Sequence, residues 1–318
     1  MTLVNIICSF RNESKNIKQF YNKLNKSFIY YNKKIKPKIS KQYKRNKPLE
    51  KKLCGVGGGK STNSIDFILY FIDDNSTDNS TEIIRLICRA DKRVKLISFK
   101  KNYGGAKTMA YALKIVNSNY CLTFIDCDLE DDPALIPKYL IFVKKNMVIN
   151  FIRKKRFYMS YFIRIYTNIA YVFLYLISFG KVRIQSGHFK IIGSSVVKKL
   201  KKNNQSLQWW NYFPNKYSSA EKNIMYTRRV RFKGESQFSF FQPYVWIYYF
   251  IGVSYFRKNL YLIYSLLLLF FTIYFFQPFL VAFFLFFLLI LIYFFNYYLM
   301  SLISIKNQKF KIKEKINI

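Results

Sequence analysis

Asp126 and Asp128 stand two residues apart just beyond the apolar run YCLTFI, and Glu130, Asp131 and Asp132 follow at once. Five carboxylates in this short stretch are a heavy concentration for a chain with 16 acidic residues against 53 Lys and Arg. Crowding of this kind is unfavourable unless a cation neutralises it. Alternate residues leaving a strand project to one face, so Asp126 and Asp128 can share a hard divalent ion, with Glu130 adding a third oxygen. Mg2+ or Mn2+ suits such an all-oxygen set. Asp131 or Asp132 ahead of Pro133 also reads as the cap of a helix, where a carboxylate meets the free amides of the first turn. Both roles are expected side by side.

The elements that must position these residues are legible upstream. LVNIICSF, FILYFI, VKLISF and YCLTFI are short apolar runs, each followed by polar turn residues and a helical pattern. Repeated β-α units of this kind build a mostly parallel, Rossmann-like α/β sheet whose ligands sit at the carboxyl ends of the strands. Those ends carry Arg11-Asn12-Glu13, Asp73-Asp74-Asn75-Ser76, Asn102-Tyr103-Gly104-Gly105 and Asp126-Cys127-Asp128. Between the first helix and the second strand, about 32–64, lies a Lys-rich and then Gly-rich stretch without apolar periodicity, read as a disordered basic insertion. Gly55-Val56-Gly57-Gly58-Gly59-Lys60-Ser61 inside it imitates a phosphate-binding loop, but Cys54 stands where that motif needs its first glycine and no strand leads in.

Beyond residue 258 the sequence runs to residue 304 without a charge. One membrane crossing takes about 20 apolar residues, so this is length for two, with Gln277-Pro278 as the turn of a hairpin. Arg257 and Lys258 precede it, and Lys306, Lys309, Lys311 and Lys313 follow, which places both flanks in the cytoplasm by the positive-inside rule. The expected organisation is a cytoplasmic catalytic domain over 1–235, an interfacial segment over 236–258, two transmembrane helices over 259–304 and a basic cytoplasmic tail over 305–318. The start MTLVNIICSF lacks the basic and small-residue features of a signal peptide, and five cysteines without paired spacing indicate neither a zinc site nor a disulfide framework. Arg153, Lys154, Lys155, Arg156 and Arg164 interleave with Phe157, Tyr158, Tyr161 and Phe162. That pattern suggests an interfacial helix over about 151–180, its aromatic face at headgroup level and its basic face toward phosphate.

Several segments resemble the GT-A-fold glycosyltransferases of family 2, and among them the dolichol-phosphate-mannose-synthase-like enzymes that glycosylate polyprenyl phosphate. FIDDNSTDNST resembles that family's V-D-D-G-S-T-D-G-T segment, KNYGGAKTMAYAL its R-N-x-G-x-x-x-A-x-x-x-G segment, and FIDCDLEDDPALIPKYL its D-x-D-L-Q-D-P-P-E-x-I-P segment. QSGHFKIIGSSVVKKL and RFKGESQFSFF are similar to the D-S-G-x-F-R and R-x-x-G-E-S-K-Y-S segments. The sequence departs from the pattern at Glu130, where Gln is usual, and at Gln185, His188 and Gln237. The lone histidine is read as incidental.

The resemblance implies a GT-A catalytic domain followed by a two-helix transmembrane hairpin, in a multi-pass cell-membrane protein of cell-envelope biosynthesis. The implied activity is that of an inverting hexosyltransferase that moves sugar from a UDP- or GDP-linked donor to polyprenyl phosphate. Ser9, Arg11, Asn12, Glu13, Asp73, Asp74 and Lys107 would bind the nucleotide sugar. Asp126, Asp128 and Glu130 would hold the metal that neutralises charge building on the leaving diphosphate. Arg153, Arg156, Arg164 and Ser186 would meet the acceptor phosphate, which arrives largely ionised and needs cations rather than a base. A sugar-hydroxyl acceptor, the alternative, would need a positioned base. A nucleic-acid-binding role would leave the acidic cluster unexplained, so nucleic acid is excluded as a partner, while a homo-oligomer is compatible with the sequence.

Overall fold

The computed structural model describes residues 2–35, 64–154, 161–202, 210–229, 232 and 310–318. The 236–258 segment, the 259–304 hairpin, Arg156 and nearly all of the 32–64 insertion lie outside these residues. Among the described residues no helix is long and apolar enough to cross a membrane.

The four apolar runs become strands β1 (Thr2–Phe10), β2 (Ile65–Asp73), β3 (Val94–Phe99) and β4 (Cys121–Phe124). They lie parallel in the order β4-β1-β2-β3. Helices α1 (Ser14–Tyr30), α2 (Ser80–Ala90) and α3 (Gly105–Ile115) make the crossovers, and α1 continues as a π turn over Tyr31–Ile35. α1 forms because Ile17, Phe20, Leu24 and Phe28 recur at helical spacing and bury one stripe against the sheet. Phe28 meets Phe67 at 4.9 Å between ring centroids, and Phe20 meets Phe71 at 6.2 Å.

Beyond β4 the chain turns through the short helix α4 (Leu135–Leu140) into β5 (Met147–Arg153). Helix α5 (Tyr161–Ile177), β6 (Ser186–Ile192), α6 (Ser194–Lys202), α7 (Phe213–Tyr217) and β7 (Ala220–Tyr226) follow. β6 runs antiparallel to both β4 and β5, while β7 runs parallel to β5. The amino end of β6 and the carboxyl ends of β4, β5 and β7 therefore meet at one end of the sheet.

Two expectations change. The helix anticipated from about residue 151 begins at Tyr161, because Phe151, Ile152 and Arg153 finish β5. Phe151 is fully buried and stacks on Phe189 of β6 at 4.3 Å, which holds that stretch in the sheet. The tail, expected only as a basic extension, forms β8 (Ile312–Ile316) antiparallel to β3. In it Ile312, Glu314 and Ile316 alternate with exposed Lys313 and Lys315, the two-residue period of a half-covered edge strand. On α5, Thr167, Tyr171 and Leu174 are buried, whereas Ile165, Ile169, Val172 and Leu176 form an exposed apolar stripe at helical spacing.

Candidate functional site

The loops after β1 and β2 are knitted together before they can touch a ligand. Asn12 Oδ1 accepts the Thr77 amide at 2.8 Å, the Asn12 amide donates to Ser76 Oγ at 3.0 Å, and the Glu13 amide donates to Ser80 Oγ at 2.9 Å. Asn12 and Asn75 take left-handed backbone conformations, φ 55° and 63°, which asparagine tolerates better than most residues. Asp73 is committed in the same way. Its Oδ2 accepts from Thr81 and Ser98, and its Oδ1 from the Ser76 amide. Of the residues expected to bind nucleotide, Asn12, Glu13 and Asp73 thus shape the pocket through loop contacts.

Asp74 lies buried just past the end of β2, where the Tyr103 and Gly104 amides each donate to one of its oxygens at 2.7 Å. Burial raises its carboxyl above the usual range, against the pull of those two amides and the Arg11 charge. Ser9 Oγ and Thr108 Oγ1 lie 2.6 Å apart and tie β1 to the first turn of α3, where half-buried Lys107 also sits. Ser9, Arg11, Asp74 and Lys107 are therefore gathered around the parallel strand ends.

The acidic cluster follows β4. Leu129 holds a left-handed conformation, φ 64°, between Asp128 and Glu130. For a branched side chain this costs about 1–3 kcal/mol, and the turn brings the Glu130 backbone amide onto the Asp128 side chain. The Glu130 amide donates to Asp128 Oδ1 at 3.0 Å. Burial, followed by the charges of Asp126 and Glu130, pushes the Asp128 carboxyl up to about 7. Asp126 goes the other way. Burial would raise it, but His188, whose Nε2 lies 3.0 Å from Asp126 Oδ2, pulls it down to about 2. His188, expected to be incidental, is thus part of the site. The signal was available in register: β4 and β6 pair Thr123 with Ile191, and extending that ladder sets Asp126 opposite His188.

Arg228, just past β7, is the other cation that the sequence did not single out. Its Nη1 lies 2.6 Å from Glu130 Oε2, and its Nε 3.2 Å from Asp131 Oδ1. Asp131 is fully buried and also accepts the Tyr226 hydroxyl. The helix cap expected of Asp131 or Asp132 does not form. α4 begins at Leu135 with Ala134 at its N-cap and no side-chain cap hydrogen bond, and Asp132 instead accepts the Ala134 amide at 3.1 Å in the turn ahead of it. Among the described residues no three His, Cys, Asp or Glu side chains already form a metal cage, and Glu130 is turned to Arg228. The donor set of Asp126 and Asp128 nevertheless fits Mg2+ or Mn2+, which take one or two carboxylates and complete their shell with water and substrate phosphate.

Arg153 closes β5 beside this cluster with its side chain 11% exposed, 3.9 Å from Asp131 Oδ2. Its Nε is buried and has no hydrogen-bond partner among the described residues. Ser186 is buried, and its Oγ accepts Lys190 Nζ at 2.6 Å. Lys190 is itself wholly buried and also donates to Asn150 Oδ1 at 2.6 Å. A lysine inside the apolar strand FKII was the sequence signal for this network. The Arg164 side chain and Arg156 lie outside what is described.

Comparison with known proteins finds similarity to glycosyltransferases over part of the chain. Residues 60–201 match the family model "Glycosyl transferase family 2". The uncharacterized glycosyltransferase YkcC of Bacillus subtilis is 29% identical over 180 residues, 54% of each chain. An uncharacterized glycosyltransferase of Haemophilus influenzae is 38% identical over 90 residues, 28% of this chain and 35% of that one. The chain thus spans about half the length of the first relative and about a third of the second. Among solved structures, TarS 1–349 of S. aureus in complex with UDP is similar with TM-score 0.38 and 16% identity, over 71% of this chain and 60% of that one. The mannosyltransferase PcManGT of Pyrobaculum calidifontis, in complex with GDP-Man and Mn2+, gives 0.42 and 10%, over 80% and 64%.

Proposed function

We propose that this chain, whose residues 60–201 belong to glycosyl transferase family 2, transfers a glycosyl group from a nucleotide-diphosphate sugar to a polyprenyl phosphate at the cytoplasmic face of a membrane. The observation that carries the reading is the meeting, at one end of the sheet, of the Asp126–Asp128 pair with Arg153, whose Nε is buried and has no hydrogen-bond partner among the described residues. One side of that end suits a metal-bound diphosphate, and the other offers a cation to an acceptor that is already ionised.

Ser9, Arg11 and Asp74 line the pocket for the nucleoside, and the first turn of α3 with Lys107 faces the diphosphate. Asp126 and Asp128 would hold a divalent ion, which when bound supplies Lewis-acid stabilisation of the leaving diphosphate. His188 holds Asp126 in place and keeps it ionised. Glu130 and Asp131 orient Arg228 along the cluster. The acceptor phosphate would dock against Arg153, with no proton to remove, attack the anomeric carbon from the face opposite the diphosphate, and invert it.

Membrane placement draws support from the uncharged run over 259–304 and from the exposed apolar stripe of α5. The chain leaves the sheet after β7 and rejoins it at β8, which suits an even number of crossings and a shared side for catalytic domain and tail. A sugar-hydroxyl acceptor is the second reading, favoured by His188 as the one imidazole at the site, although its Nε2 is engaged by Asp126.

The test is a donor-by-acceptor screen of the detergent-solubilised protein. UDP- and GDP-sugars are supplied with Mn2+ or Mg2+, against undecaprenyl phosphate, dolichyl phosphate and glycolipids bearing free hydroxyls. A glycosyl phospholipid product, identified by mass, is the expected result. Transfer to hydroxyl acceptors alone would overturn the acceptor assignment.

A further inference from the structure

We propose that Phe310 and Lys311, at the head of the C-terminal tail, are positioning residues of the donor site, holding the Tyr103–Gly104 turn whose amides fix Asp74. The proposal rests on the transferase reading for what the pocket binds, and on the contacts below for what the tail does.

β8 covers β3, which would otherwise be the open edge of the parallel strands, with Ile316 opposite Leu96 and Glu314 opposite Ser98. Covering an edge is a sufficient structural role for a strand. The tail goes further, because its contacts reach past the end of β3 onto the turn. Phe310, ahead of the strand, packs its ring against three aromatics: Phe99 at 5.4 Å, Tyr103 at 4.9 Å and Tyr111 at 5.0 Å between centroids. The Lys311 amide donates to the Tyr103 hydroxyl at 2.7 Å, and the Lys100 amide donates to Lys311 O at 2.9 Å.

Tyr103 is gripped at its ring and hydroxyl by the tail and at its amide by Asp74 Oδ1, while Gly104, in a left-handed conformation of φ 85°, gives its amide to Asp74 Oδ2. Asp74 in turn donates its own amide to Phe10 O at the mouth of β1. One unbroken series of contacts therefore runs from tail to turn to Asp74. The far end of the tail is anchored separately. Glu314 forks onto Arg85 at 3.0 and 2.7 Å, and Asn317 Nδ2 donates to Cys88 O and Val94 O.

The experiment uses the full chain in detergent with the substitutions Tyr103→Phe, Phe310→Ala and Glu314→Gln. It reads amide hydrogen exchange at residues 103 and 104, Tm, and binding of UDP and of GDP with Mn2+ present. Tyr103→Phe keeps the ring and removes only the oxygen that accepts the Lys311 amide, so it tests the grip without a cavity. Tyr103→Phe and Phe310→Ala should speed exchange of both amides. They should also weaken whichever nucleotide the wild type binds by about tenfold, as follows if the competent turn falls to about a tenth of the population. Glu314→Gln, acting at the far anchor, should lower Tm while leaving both readouts at wild-type values. Unchanged exchange at 103 and 104 in the first two variants overturns the proposal, and so does a loss of affinity that merely tracks Tm across all three. If the wild type takes neither nucleotide, the transferase reading fails, and the exchange data alone judge the tail.

Discussion

Arg153 lies across Gly187, so close that a methyl group at position 187 would come within 2.6 Å of Nη2. The glycine of the QSGHF segment thereby leaves room for a cation beside the acidic cluster. The same end of the sheet sets the Arg153 cation beside the acidic cluster, and the expected behaviour of variants follows from that opposition.

Asp128→Asn should abolish transfer while leaving the fold intact or firmer. Asp128 carries a carboxyl raised by burial and by the charges of Asp126 and Glu130, so removing its charge relieves repulsion in the folded state. The Mn2+ site loses a ligand at the same time. Removing one preorganised charge-stabilising group typically costs about 100- to 1,000-fold in turnover. Calorimetric Mn2+ binding and Tm, measured together, check both halves. Full turnover of this variant at saturating Mn2+ would refute the metal-site assignment.

Much of this site was legible in sequence because parallel strands bring successive carboxyl ends together whatever the details. Asp74, Asp126 and Asp128 are placed together by that rule alone. The alternation of apolar and helical runs likewise gave β1 to β4. His188, Arg228 and Lys190 were missed because their roles come from antiparallel pairing of β6 and from the path beyond β7, and single-sequence patterns do not reveal which distant strands pair. The tail strand escaped for a related reason: IKEKI is short and charged, and it becomes a strand only against β3. Asn12, Glu13 and Asp73 were seen as ligands by position, yet their side chains or amides are spent on the neighbouring loop.

Stability should rise with pH through a buried amine. Burial lowers Lys190 to about 7, with the charges of Arg183 and Arg153 acting in the same direction and that of Glu221 opposing. An unfolded lysine titrates near 10.4. Between about 7 and 10 the unfolded chain therefore binds more protons than the folded one at this position, so unfolding free energy climbs with pH, by about 1.4 kcal/mol per unit at most. Below 7 both states are protonated and the penalty is constant. Lys190→Met should remove that slope, which urea denaturation at pH 7, 8 and 9 would detect as a converging difference from wild type. Parallel curves for the two proteins would count against the assignment.

Lys18 and Lys313 should label from the same side of the membrane. Both are exposed, one on α1 and one on β8, and both elements belong to a single sheet assembly although the 259–304 run lies between them in sequence. Cysteines introduced there, in a background lacking other reactive thiols, should react with an impermeant maleimide in inverted vesicles and stay protected in intact cells. Opposite accessibility of the two would break the even-crossing reading.

Arg153→Gln and Gly187→Ala should affect the acceptor more than the donor, by different routes. Arg153→Gln removes the cation and leaves Asp131 with Arg228 and the Tyr226 hydroxyl as partners, so the cluster retains some compensation. Gly187→Ala keeps the cation but pushes it off its seat, since the added methyl and Nη2 cannot share the space. A charge-assisted phosphate contact is worth about 1.5–3 kcal/mol, which is about one to two decades in acceptor KM. Donor KM should stay within about threefold in both variants, because on the proposed reading the donor phosphates would be met by an ion at Asp126 and Asp128 and by α3 rather than by Arg153. Lys at 153 should recover part of the loss, as a point charge without the guanidinium fork. Steady-state kinetics in detergent micelles, where membrane recruitment matters little, give the two KM values independently. An acceptor KM unchanged in Gly187→Ala, with the protein folded, would remove Arg153 from the acceptor site and shift weight to the hydroxyl-acceptor reading, in which His188 rather than an arginine meets the incoming group.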